Sequence, residues 1–470
     1  MKKDVGIVWV REDFRIKNNR ALSFATHNHN SVCAIYIFKK LDFVKREAQK
    51  WWLYKSLIDL EKNLESLNIS LELINSPSYE IFFNQVIEKK NCSIYWNKIY
   101  EPKFLKFDEI ISKKLESNNI NFRLFKGNTL NEFNEVKKSD DTPFKVFTPF
   151  WKNAEQIYLK KEFVKDLTVK KKSKKIIYFK NKNKFIDILP SKKWYKKFEK
   201  NWSPSESEAL QKCKDFVKEK IADYGNLRDI PGVNGTSKIS PYLSFGQLNV
   251  ETVWQECSKI KNKREGYRKY INELGWREFS HSLINYFPKM LSGNLRKEFD
   301  SFPWVENKKY LDAWKKGKTG YPIVDAGMRE LYETGWMHNR LRMVTASFLV
   351  KHLRIHWKEG EKHYRNCLLD FNEANNVAGW QWVSGCGADA APYFRIFNPI
   401  LQGERFDKKG VYVKKWIPEL KNIPEEYIHK PWEINTEIKN FKLGINYPKP
   451  IVDHKKAREA ALNAFKKIKK

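Results

Sequence analysis

The chain has 470 residues and carries 89 Lys and Arg against 56 Asp and Glu, a formal net charge of +33. With 41 % hydrophobic residues it has ample core material, so a disordered basic chain is excluded and the length predicts two or three domains. Six cysteines without a CxxC pair indicate neither a zinc ribbon nor a disulfide framework, and no apolar run reaches the ~18 residues of a membrane span.

The N-terminal apolar run is too short for a signal peptide, so the chain reads as a reduced, cytoplasmic protein. Its strong positive charge points to nucleic acid as the partner, with Lys richness as a compositional habit the alternative. In residues 1–130, Val5–Val10, Ser31–Phe38, 69–74 and 93–96 are strand-like, and helix-length segments lie between them. The clearest is 48–67, where Trp51, Trp52, Leu53, Leu57, Leu60, Leu64 and Leu67 recur at helical spacing. Strands alternating with helices predict a Rossmann-like parallel α/β domain. There is no GxGxxG and no P-loop, so neither a dinucleotide fingerprint nor a nucleotide-phosphate loop is indicated.

Across 131–202 the pattern dissolves, and between Lys160 and Lys200 there are 16 Lys against four acids. This stretch is expected to be an interdomain linker, a solvated connection more than a phosphate-contacting arm. From 203 to 470 the periodicity is helical, notably in 203–224, 266–287 and 338–357, and a large all-helical domain is predicted. His352 and His356 are four apart and His363 follows, but the HExxH glutamate is missing and Arg354 sits between, so no metal site is predicted. No GxSxG exists for a serine nucleophile.

The segment 336–399 is dense in Asn, Asp, Arg and Trp, poor core material that suits a concave polar pocket, with a polar-capped helix bundle as the alternative. Arg342 and Asp370 form an opposite-charge pair if their helices face each other, and Asn376 and Trp380 share a helical face.

Several long motifs in order carry a resemblance to one family: WVREDFRIKNNRAL (9–22), GTSKIS (235–240), NELGWREF (272–279), WMHNRLRM (336–343), DAAPYFRIFNPILQGERFD (389–407) and YPKPIVDH (447–454). Nearly the whole chain resembles the photolyase and cryptochrome family. The resemblance implies FAD in the helical domain, with Tyr224, Thr236, Ser237, Lys238, Ile239 and Ser240 around its phosphates and Tyr270 and Phe371 also in the cofactor site. It implies an Arg342–Asp370 ion pair against the isoalloxazine and Asn376 facing N5; Asn372 stands where the family usually has a second Asp. Trp380, Trp357 and Trp304 fall at the positions of its tryptophan electron-transfer chain.

Within the family, (6-4) photolyases have two active-site His where this chain has Asn339 and Met343, and Glu273 also matches the cyclobutane-dimer enzymes of class I. The resemblance therefore implies light-driven splitting of cyclobutane pyrimidine dimers in UV-damaged DNA by an enzyme expected to be monomeric. Trp276 and Trp382 would wall a flipped-out dimer, Glu273 and Asn339 would bond its bases, with Met343 beside them, and Arg228, Arg277 and Arg340 would contact the backbone. Around Tyr100, Glu101 and Pro102 the family's folate-site pair is replaced by Lys103 and Phe104, so methenyltetrahydrofolate, a deazaflavin and no antenna chromophore all stay open. The rival readings are a blue-light cryptochrome without repair activity and a flavin-free nucleic-acid binder.

Overall fold

The computed structural model describes residues 5–161, 167–179, 185–190, 192–261 and 265–468. The chain divides into two compact units, one of Met1–Glu219 with Ser237–Tyr286 and the other of Lys220–Thr236 with Phe287–Lys470.

In the first unit, Val5–Val10 (β1), Ser31–Phe38 (β2), Ser70–Asn75 (β3), Cys92–Asn97 (β4) and Phe122–Phe125 (β5) form a parallel sheet in the order β3-β2-β1-β4-β5. Val5 at the start of β1 pairs with Ser31 on one side and Cys92 on the other. The strands read as near-continuous apolar runs because parallel sheets are covered on both faces, and Ile7, Trp9, Ile35, Ile94 and Trp96 are all buried. β5 was not among the expected strands. It is four residues at the sheet edge, partly exposed and carrying Arg123, so no apolar run marks it.

The helix expected over 48–67 is Glu47–Glu65, and it buries Trp51, Trp52, Leu53, Leu57, Leu60 and Leu64. Each such burial is worth about 1.5–3 kcal/mol. The segment 131–202 contains a helix, Phe147–Leu159, whose buried Phe147, Phe150, Trp151, Ala154 and Tyr158 follow helical spacing. Of the Lys-rich stretch beyond it, residues 162–166, 180–184 and 191 lie outside the described residues. Lys172 is described and buried, its ammonium donating to the carbonyls of Thr26 and His29 at 2.5 and 2.6 Å.

The second unit is helical, with Pro322–Thr334, Asn339–Ser347, Trp357–Cys367, Glu373–Ser384 and His454–Ile468 as its main elements. The helix expected across 338–357 is interrupted. It ends at Ser347, continues as a π-turn over Phe348–His352, and Arg354 takes the left-handed region (φ 51°) before Trp357 starts the next helix. His352 and His356 therefore belong to different elements: His352 Nε2 meets His454 Nδ1 at 2.9 Å, and His356 caps the following helix. No helix among the described residues is long and apolar enough to cross a membrane.

Candidate active site

In the first unit, Tyr270, Glu273, Trp276 and Arg277 share the helix Glu265–Tyr286. Trp276 is half-buried, and one face of its indole stacks flat on Phe147, with ring centroids 3.8 Å apart and planes 7° from parallel. One residue earlier, a Cβ on Gly275 would lie 2.5 Å from the Trp151 ring, so only glycine lets that indole pack there. Trp151 Nε1 in turn donates to Asn272 Oδ1 at 3.1 Å. The helix Phe147–Leu159 is thus the buttress of the Glu273 and Trp276 helix, and its aromatic spacing was the signal that could have marked it. Tyr270 is buried with its ring 4.5 Å from that of Phe216.

The Arg277 side chain is 13 % exposed and its guanidinium lies 3.3 Å from Glu278 Oε1. Burial lowers the Arg277 pKa and raises that of Glu278, whose other oxygen accepts from the Leu130 amide at 2.9 Å.

The motif of residues 9–22 is a buried polar knot at the carboxyl end of β1. Arg11 pairs with Asp108 at 2.9 Å, and Asn97 donates to both Asp13 and Asn19. Tyr100 and Glu101 are buried, and Lys103 reaches back to Glu101 at 3.3 Å. In the stretch Ser237 to Ser240, Ile239 is buried and anchors the loop, while Lys238 and Ser240 are exposed and Ser237 is half-buried; Lys238 takes φ 52°.

In the second unit, Arg342 and Asp370 meet as expected, Nη2 to Oδ2 at 2.7 Å, and Arg342 Nε is fixed by the Met337 carbonyl at 2.8 Å. Asp370 is nearly fully buried and Arg342 is a quarter exposed. Asn376 donates its Nδ2 to Glu361 Oε1 at 2.9 Å, which leaves Oδ1 to accept. Glu361 is held by Arg365 at 2.7 Å, and Arg365 also grips Glu373 at 2.6 Å, so the orientation of Asn376 rests on a three-residue ionic network that sequence reasoning did not single out. Burial pushes the Glu361 carboxyl up, and Arg365 and the Asn376 amide oppose that shift. Asn372 caps the helix Glu373–Ser384 by accepting from the Asn375 amide at 3.1 Å, a task Asn and Asp perform equally well. Phe371 is buried under the Arg365 guanidinium, 4.7 Å away. Three residues beyond Asn376, a Cβ on Gly379 would meet nothing within 4 Å, so this side of the helix borders open space.

Asn339 and Met343 lie one turn apart on the helix Asn339–Ser347, exposed and half-buried, and Trp382 is half-buried on Glu373–Ser384. Thr236 is half-buried. Tyr224 is buried with Arg228 5.3 Å from its ring centroid. Arg340 forms an ion pair with Asp229 at 2.8 Å and covers the Phe406 ring at 4.3 Å, and Arg228 lies 4.0 Å from the same Asp229. Asp229 therefore gathers the two arginines, a grouping with no signal in the spacing of 228 and 340.

Trp380 and Trp357 are buried and Trp304 is half-buried. A Cβ on Gly360, three residues along the helix from Trp357, would overlap the Trp380 indole, so Trp380 lies against the first turn of the Trp357 helix. The His356 ring sits 4.8 Å from Trp304 and 5.6 Å from Trp357.

Residues 6–169 match the DNA photolyase family, and residues 270–467 match the FAD binding domain of DNA photolyase. A deoxyribodipyrimidine photo-lyase of Agrobacterium fabrum is 39 % identical over 476 residues, covering 99 % of this chain and 98 % of the relative. Cryptochrome-2 of Arabidopsis thaliana is 32 % identical, over 98 % of this chain and 79 % of its own length. A solved bacterial class III photolyase from Agrobacterium tumefaciens superposes with a TM-score of 0.93 at 38 % identity, over 100 % of this chain and 98 % of that one. With both domain matches and full-length similarity to such relatives, the chain belongs to the photolyase and cryptochrome family.

Proposed function

We propose that the protein is a deoxyribodipyrimidine photo-lyase that uses light and FAD to split cyclobutane pyrimidine dimers in DNA. The observation that carries this reading is the grouping in the FAD-binding domain of the Arg342–Asp370 pair, the oriented Asn376 amide and the open side of the helix at Gly379. These residues fit a flat, polar-edged ring: an ion pair for its heteroatoms, a directed carbonyl, and space no side chain fills. FAD, when bound, supplies light absorption and the transferable electron.

In this reading Arg342 and Asp370 would hold the ring edge, and Glu361 would orient the Asn376 amide that faces the ring. Tyr224, Thr236, Ser237, Lys238 and Ser240 offer hydroxyls, backbone N–H groups and one cation to the diphosphate, with Ile239 as anchor and Tyr270, Phe371 and Asn372 shaping the site. Glu273 and Asn339 bond the dimer's bases, and Trp276, Met343 and Trp382 give it apolar surface. Arg228, Arg277 and Arg340 hold phosphates, and extrusion of the lesion costs less than that of an intact pair because the lesion already stacks poorly. Trp380, Trp357 and Trp304 form the path that reloads the cofactor with electrons. Asn339 and Met343 argue against (6-4) repair without separating the dimer-repair classes, and the likeness to a class III structure favours class III over class I.

Blue light should convert an oligonucleotide containing a cyclobutane dimer to intact thymines, with no conversion in the dark. Repair of (6-4) products alone would overturn the substrate assignment, and light absorption without any repair would favour the cryptochrome reading. Glu273→Ala should lower repair per absorbed photon roughly tenfold, the worth of one charged hydrogen bond, with FAD content unchanged.

A further inference from the structure

We propose that Asn294 and Asp300 are positioning residues that make Trp357 easier to oxidise than Trp380 and so favour the first outward step of charge, from Trp380 to Trp357; this rests on reading Trp380, Trp357 and Trp304 as the electron path. The three indoles sit in unequal surroundings. The N–H groups of Trp380 and Trp304 are buried and have no acceptor among the described residues. Trp357, 1 % exposed, donates its N–H to Asn294 Oδ1 at 2.8 Å, and Asn294, 5 % exposed, donates Nδ2 to Asp300 Oδ1 at 2.8 Å. The Asp300 carboxyl is held below its ordinary range by that amide first and then by Lys297, 3.4 Å away, so it stays ionised at neutral pH.

A carboxylate behind an amide polarises it and strengthens its oxygen as an acceptor. An indole that has lost an electron has a more acidic N–H, so the stronger acceptor stabilises the oxidised form more than the neutral one. The need for this is visible in Lys358, whose ammonium lies 5.9 Å from the Trp357 ring centroid and by itself opposes a positive charge there. His356, between Trp357 and Trp304, adds no charge: burial first, and then Lys358, pull its pKa down to about 4, and its Nδ1 accepts from the Lys358 amide at 3.1 Å.

Each hop moves one electron inward. Trp357 gives an electron to oxidised Trp380 and then takes one from Trp304, and its N–H proton stays on the indole because an amide oxygen does not retain it. Trp304 regains its electron from a one-electron reductant in solution of the thiol class.

The test uses FAD-loaded protein labelled with ¹⁵N in its indoles, the Trp357 N–H signal being the one lost in Trp357→Phe. Asn294→Leu and the surface change Asp300→Asn should both move this signal upfield, Asn294→Leu further, and Asp300→Glu should restore it. After a flash, the yield of long-lived separated charge should fall roughly fivefold in Asn294→Leu, the worth of one hydrogen bond, and less in Asp300→Asn. Repair by protein reduced beforehand should be unchanged. An unmoved N–H signal in both variants, or a moved signal with an unchanged charge-separation yield, would overturn the proposal. An unchanged yield in Trp357→Phe would overturn the path itself.

Discussion

Two of the helices that carry candidate site residues are held by different physics. Glu265–Tyr286 is fixed by shape: Phe147 lies flat on Trp276 and Trp151 fills the gap that Gly275 leaves. Glu373–Ser384 is fixed by charge: Arg365 bridges Glu361 and Glu373, and Asn376 hangs on Glu361. The difference matches what each would present in the proposed function. An apolar wall for a flipped base needs a rigid plane, which stacking supplies without regard to salt or pH. A directed amide beside a redox ring needs fixed polarity, which only a satisfied network supplies, at the risk of a costly failure if one member is lost.

That risk sets the largest expected effect. Arg365→Leu leaves Glu361 and Glu373, 8 % and 12 % exposed, without their cation. Urea unfolding should show a loss of about 3 kcal/mol, the low end of the range for a broken buried pair because Arg365 is itself 22 % exposed. Glu361→Gln retains an acceptor for Asn376 and should cost less. On the shape-held side, Phe147→Leu keeps apolar volume but removes the stacked plane, so about 1 kcal/mol is expected. Its signature is functional: binding of dimer-containing DNA should weaken with the salt dependence and the FAD content unchanged. A change in salt slope would show that Phe147 acts on the phosphate contacts instead.

The same contrast explains what could be read from the sequence. Periodicity located the parallel sheet and the helix Glu47–Glu65, because burial on one stripe or two faces leaves a local pattern. The Arg342–Asp370 pair was legible because its partners lie in dense polar motifs that stand out from core composition. Phe147–Leu159 was missed although its apolar positions are helical, since the neighbouring Lys run drew the whole stretch into a linker. Glu361, Arg365, Asn294 and Asp229 gave no signal, as a surface-type ion pair and a buried one have the same letters. The contact of Arg277 with Glu278 gave no signal for the same reason.

The smallest effect sharpens the comparison through pH, at a single histidine beside the Trp357 helix. His356 is half-buried and neutral, with a pKa of about 4 against an ordinary 6.5, and its Nδ1 caps the Trp357 helix. Between those two values the unfolded chain binds a proton that the folded chain does not, so this contribution to stability is present above pH 6.5 and is lost as the pH falls toward 4. His356→Asn keeps a side-chain acceptor at the cap but does not titrate. Urea unfolding at pH 4.5 and 7.5 should therefore show a smaller drop for the variant than for the parent, by about 1 kcal/mol, well short of the full shift because solvent screens a half-buried ring. Phe147→Leu should show the same pH slope as the parent. Equal slopes for His356→Asn and parent would mean that the imidazole takes up its proton in the folded chain at its ordinary pKa, giving up the Nδ1 cap bond, and that Trp304 and Trp357 can face a cation between them.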